Sequence, residues 1–136
     1  GKVVSVSVGG SIPAGAVEVK LTGKHVYPSF IEPYGTYGMP DVKSGGGGWG
    51  DPPQTVSKTP GAFSWNQAIK SETEAAALFT VNKKDAKELR DIGYGIVSTH
   101  RPDGVSRGSS VVVSLGEDKE NDVIIKRRSA HHLSFS

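Results

Sequence analysis

The sequence predicts an α/β fold, and three patterns carry that expectation. The opening residues alternate with a period of two, as a half-buried strand does. A short helix from Asn82 to Gly93 runs straight into Gly95-Ile96-Val97-Ser98-Thr99, the helix-to-strand step that builds α/β units. Two strand-like arms around a polar loop then read as a hairpin.

Val4, Val6 and Val8 share one face of the first expected strand, Lys2–Val8, with Ser5 and Ser7 on the other. Gly9-Gly10-Ser11-Ile12-Pro13 and Gly15 turn the chain. Val17, Val19 and Leu21 alternate with Glu18 and Lys20 in a second strand, which stops at Thr22-Gly23. A third apolar stretch, Val26–Ile31, contains Pro28. Proline cannot donate to a ladder, so it marks a strand start or a crossing between sheets.

Residues 38–64 are rich in Gly and Pro, with Gly45–Gly48, Pro52-Pro53 and Pro60-Gly61 forming a long insertion. Trp49, Phe63 and Trp65, with Tyr34 and Tyr37, could gather around it, more as anchors than as a binding surface. Ser71-Glu72-Thr73-Glu74 fits a capping box ahead of a helix at Ala75–Phe79. In the next helix Asn82 is the N-cap, Val81 and Ala86 occupy the staple positions, and Leu89 and Ile92 continue the buried stripe. Gly93 supplies the stop. The closing hairpin has arms at Ser109–Leu115 and Val123–Lys126 and a loop at Glu117–Asp122.

With 136 residues the chain holds one domain's worth of material. Apolar residues are 35%, and the 18 glycines bring the count near the globular norm, so a packed core is possible. Net charge is +2 with the charges scattered, which argues against a nucleic-acid footprint. The basic run Lys126-Arg127-Arg128 reads as a solvated strand end. The absence of cysteine excludes disulfides and cysteine-ligated zinc. No apolar run approaches the ~20 residues of a membrane span.

The order of several motifs resembles the opening of the amidohydrolase superfamily. They are Gly1-Lys2-Val3-Val4-Ser5-Val6, Ile12-Pro13-Ala14-Gly15-Ala16, Val19-Lys20-Leu21-Thr22-Gly23-Lys24 and Pro28-Ser29-Phe30-Ile31-Glu32. Trp65–Lys70, Ala86–Gly93 and Gly104–Leu115 resemble a bacterial subgroup of that family whose members are often exported to the periplasm. The resemblance implies that residues 1–27 are part of a composite β-sandwich. Residues 28–136 would begin a (β/α)8 metal-hydrolase barrel, incomplete because a barrel uses ~200 residues or more.

The implied activity is hydrolysis of carbon–nitrogen, non-peptide bonds of a small-molecule substrate by the complete protein. That protein would use a divalent metal, zinc foremost, with none expected in this portion. Family members end the first barrel strand in a His-X-His pair, whose side chains point the same way. Here Tyr34 and Thr36 stand at those positions. That departure supports an alternative: a catalytically silent binding or structural module on the same frame. No metal ligands are assignable. The candidate active-face residues are Tyr34 and Tyr37, near the end of that strand, and His100, which follows the next one, where a barrel keeps its active-site loops. The expected partners are the remainder of the same polypeptide or a second copy of the chain.

Two further stretches match catalytic or nucleotide-binding patterns in form. Gly104-Val105-Ser106-Arg107-Gly108 matches the G-x-S-x-G elbow, and Asp118, Asp122 and His131 follow in the order of a serine-hydrolase triad. The elbow needs a helix after it, whereas Ser109-Ser110-Val111-Val112-Val113 is strand-like, so a glycine-flanked loop accounts for the residues. Gly45, Gly47 and Gly50 match G-x-G-x-x-G but neither follow a strand nor open a helix. His131 and His132 are adjacent and should face opposite sides of a strand.

Overall fold

The structure, a computed structural model, describes residues 3–42, 66 and 68–134. Among them are β1 (Phe30–Gly35), α1 (Ala75–Leu78), α2 (Lys83–Asp91), β2 (Tyr94–Thr99), β3 (Ser106–Ser109), β4 (Val111–Ser114), α3 (Glu120–Val123), β5 (Ile124–Lys126) and β6 (His131–Leu133). The expected insertion lies mostly outside the described residues, as do Trp49, Phe63, Trp65 and the glycine motif at 45–50.

The architecture is mixed α/β. A four-stranded sheet runs in the order β1-β2-β4-β5, and β3 and β6 form a separate antiparallel pair. β1 starts two residues after Pro28 and pairs parallel with β2. Parallel neighbours need a long crossover, and α1 and α2 lie within it. β4 then returns antiparallel to β2, with Ile96 opposite Ser114 and Thr99 opposite Val111, and β5 closes the hairpin. The loop expected at Glu117–Asp122 winds into the single turn of α3. The first arm is shorter than expected, because Ser109 belongs to β3.

The core forms where one face of β2 and β4 meets the helices. Val97, Val111, Val113, Val123, Ala75 and Ala86 are almost or wholly removed from solvent, and Phe79 joins them. Helix α2 is specified locally. The Asn82 side chain accepts from the N–H groups of Lys84 and Asp85 at 3.1 and 3.3 Å, and Gly93 takes φ 101° beyond the end. Arg90 ties the helix to the end of β4 by donating to the Leu115 carbonyl at 2.5 Å. Asn82→Ala should therefore cost about 1 kcal/mol of stability, read from a urea melt. A loss near zero would mean the cap is replaced by solvent.

Three local expectations change. Ile92 does not continue the buried stripe: it is the C-cap, outside the helical turns, and its side chain is exposed. The capping box does not form. Glu74 is the N-cap of α1 without a side-chain cap bond, because its carboxylate pairs with Arg128 and the Ser71 hydroxyl is engaged by Ser106.

The third change concerns residues 3–29, which form no helix or strand and are exposed throughout. The expected turns are present, with Gly9, Gly15 and Gly23 at positive φ and Ala16 N–H bonded to the Pro13 carbonyl at 3.1 Å. The strands between them are not. A strand takes its hydrogen bonds from another strand, and the described residues supply none here. Val4 and Val6 remain more than 90% exposed.

Candidate functional site

β1 and β2 run parallel and finish together, with His100 N–H bonded to the Gly35 carbonyl at 3.1 Å. The carboxyl ends of parallel strands are where α/β folds place ligands. Tyr34 sits near the end of β1 and His100 directly after β2, and their ring centroids are 4.4 Å apart. His132, from β6, stacks on His100 at 4.2 Å with an 8° interplanar angle and lies 5.5 Å from Tyr34. Arg107 closes the group: it donates to the Tyr34 hydroxyl at 2.8 Å and to the Gly104 carbonyl at 3.0 Å.

His100 is wholly buried, and neither of its ring nitrogens has a hydrogen-bond partner, nor has Nε2 of His132. Burial disfavours the charged ring and, with His132 and Arg107 nearby, lowers the His100 pKa to about 4. Burial first, then His131 and Arg107, also lowers that of His132. His100 is therefore neutral at pH 7, a buried ring packed between Tyr34 and His132 with unused nitrogen lone pairs or N–H groups.

Tyr37 does not join this group. It follows the turn after β1 into the core, meets Phe79 edge-on at 5.7 Å, and donates its hydroxyl to the Asn82 carbonyl at 3.4 Å. Burial pushes its phenol pKa up. Tyr37 instead lines a groove of about 890 Å³ together with Thr36, Met39, Asn82 and Ile92. Asp41, Asp85 and Glu88 give that groove an acidic rim, and neither Tyr34 nor His100 reaches it.

A second cluster surrounds Ser106, at the start of β3. Its Oγ lies 2.9 Å from His131 Nε2 and 2.7 Å from Ser71 Oγ. No helix follows β3, so the elbow geometry is absent. Asp118 and Asp122 line a separate cleft with Val81 and Lys83. His131 and His132 do face opposite ways, one exposed toward Ser106 and the other buried on His100.

The sequence put Tyr34, Tyr37 and His100 on one candidate face, of which Tyr37 lies apart, and it did not single out His132 or Arg107. The adjacent histidines carried a usable signal, since alternation sends one of two neighbours inward. Arg107 carried none, because only the fold brings it across to Tyr34.

The described side chains do not fit a metal. Among the described residues no three His, Cys, Asp or Glu groups converge. Tyr34 and Thr36 occupy the positions of the expected imidazole pair, and the Arg107 guanidinium on the Tyr34 hydroxyl opposes a cation there. Among the described residues no helix is long and apolar enough to cross a membrane.

No protein-family model matches this chain, and no curated protein does. A solved structure does: the chain is similar to an amidohydrolase from Thermotoga maritima MSB8, at 18% identity and a TM-score of 0.55. The likeness covers 96% of this chain and 32% of that one, so the chain spans about a third of its neighbour's length. At this identity the likeness concerns the fold alone: the mixed α/β arrangement of this chain is similar to part of that structure.

Proposed function

We propose that this chain is the N-terminal portion of a hydrolase on the amidohydrolase frame, acting in its complete form on carbon–nitrogen bonds other than peptide bonds. The observation that carries the reading is the parallel β1–β2 pair with α2 in its crossover, which sets Tyr34 and His100 side by side at the strand ends. The structural likeness to part of an amidohydrolase supports it. So do the unpaired alternating segments at 3–8 and 17–21, which suit strands of a sandwich completed by the rest of the polypeptide.

This portion contributes a surface rather than the reacting groups. Tyr34 is the exposed member of the group, backed by the buried His100 and His132, and its ring is the surface this portion offers to a small planar amide. Among the described residues the divalent metal implied for the complete protein finds no ligand set.

One observation favours a second reading, a catalytically silent module: the Tyr34–Arg107 bond stands where the family's metal ligands would be. The complete gene product distinguishes the two. Its intact mass should be several times 14.3 kDa, and it should hydrolyse members of a panel of lactams, cyclic ureas and N-acyl amines, with activity lost to a chelator. A heavy product that binds panel compounds without turnover would establish the silent module. A product of 14.3 kDa would end both readings.

A further inference from the structure

The geometry points to a second chemistry in this chain: an acyl-transfer site in which Ser106 is the nucleophile and His131 its base, taking small carboxylic esters. It stands on the cluster beside the active face and is independent of any metal.

Ser106 is held by backbone on two sides. Its N–H bonds to the Ala68 carbonyl at 2.9 Å, and its carbonyl accepts from Lys70 N–H at 2.8 Å, which sets the 68–73 segment alongside β3. That segment delivers Ser71. On the other side β6 pairs with β3, Leu133 opposite Ser106, and a register shift within the pair lets the His131 ring reach back to the serine. The base and nucleophile thus come from the two strands of one small sheet, fixed by the ladder they share, which is the preorganisation such a pair needs.

The direction of the hydroxyl chain follows from the proton inventory. With His131 carrying its proton on Nδ1, Nε2 accepts from the Ser106 hydroxyl, and Ser106 Oγ accepts in turn from Ser71. Nucleophilic attack then has a proton path. Ser106 Oγ adds to the ester carbonyl carbon while its proton passes to His131 Nε2. The tetrahedral adduct expels the alcohol, which takes that proton back, leaving an acyl-serine. Water repeats the sequence, gives up its proton through the same nitrogen, and releases the carboxylic acid and free Ser106. Nothing beyond ester and water is consumed.

Ser71 donates to the oxygen that becomes nucleophilic, so it is a positioning residue. Ser106 is only 5% exposed and is flanked by the exposed Ser71 and His131. Access at that depth suits short acyl groups and compact probes, not long chains.

The test is a fluorophosphonate probe with a short alkyl chain, applied to the complete gene product, with intact mass and tandem mass spectrometry as readouts. One adduct per chain, mapped to Ser106, is the expected result, and p-nitrophenyl acetate should show a burst of one equivalent. His131→Gln should slow labelling at least about a hundredfold. Ser71→Ala should slow it about tenfold, the loss of one hydrogen bond to the attacking oxygen. Amide NMR spectra of the variants verify folding, and mapping the adduct on the unsubstituted chain needs no variant. An unlabelled folded chain, an adduct mapped elsewhere, or an unchanged rate in folded His131→Gln each overturns the proposal.

Discussion

Gly108→Ala is expected to cost about 3–5 kcal/mol and to dismantle the β3–β6 pair. Gly108 sits at φ +75°, a conformation in which an L side chain already costs about 1 kcal/mol. A Cβ there would also land on the Thr73 carbonyl oxygen, backbone that cannot swing aside. The same carbonyl accepts from Ser109 N–H at 2.9 Å, so relief of the clash breaks that bond too. Strain, clash and a lost bond together take a large share of the 5–15 kcal/mol that ordinary domains possess. Urea unfolding of the two proteins provides the comparison, with amide spectra reporting whether the Ser106–Ser109 signals shift. A loss below about 1 kcal/mol would show that β3 does not lie against residues 71–74 as described.

Acid should destabilise the chain through His100, and His100→Phe should blunt the effect. The folded state keeps this ring neutral down to about pH 4, whereas the unfolded chain takes up the proton near the ordinary 6.5. Between those values the unfolded state binds more protons, so stability falls as pH falls. The contribution is fully present above the ordinary pKa and lost progressively toward about pH 4, where the native ring also charges. The interval corresponds to about 3 kcal/mol as an upper bound. His132 acts in the same direction.

Phenylalanine keeps the stack between Tyr34 and His132 and removes two buried nitrogens that have no partner, so near pH 7 the variant should match or exceed the parent. Carboxylates titrate in the same window, which makes the difference between the two proteins the informative quantity. Parallel stability profiles for parent and variant from about pH 7 to about pH 4.5 would falsify the buried neutral pair.

These two positions also show what the sequence made legible. Punctuation was readable because it depends on a few neighbouring atoms: Asn82 caps, Gly93 stops, and Gly9, Gly15 and Gly23 turn as expected. The strands at 2–8 and 17–21 had sound alternation, yet alternation describes a face and not a partner. Their pairing depends on chain that is distant in sequence. Ser71-Glu72-Thr73-Glu74 failed as a capping box because longer-range partners, Ser106 and Arg128, took both side chains. The site divides the same way. Tyr34 and His100 were placed by strand ends, a local property. Arg107 reaches Tyr34 only through the fold, and Tyr37 turned into the core because the turn after Gly35 reverses its direction. The match to G-x-S-x-G was discounted for lack of a following helix, which is correct, but a hairpin partner brought His131 to Ser106 by a route no spacing encodes.

The three residues of β6 hold two separate arrangements apart by parity alone. His131 meets Ser106 on one face, and His132 stacks on His100 on the other. A slip of one residue would exchange the faces of the two imidazoles yet leave only one site with a histidine: His131 would go under Tyr34 with Ala130 facing Ser106, or His132 would face Ser106 with Leu133 against His100. What forbids the exchange is a set of backbone bonds: Ser110 N–H to the Ala130 carbonyl, Ser129 N–H to the Ser110 carbonyl, and Ser134 N–H to the Val105 carbonyl, at 2.9, 3.0 and 2.9 Å. The information that tells one histidine from its neighbour therefore resides in main-chain alignment rather than in residue identity.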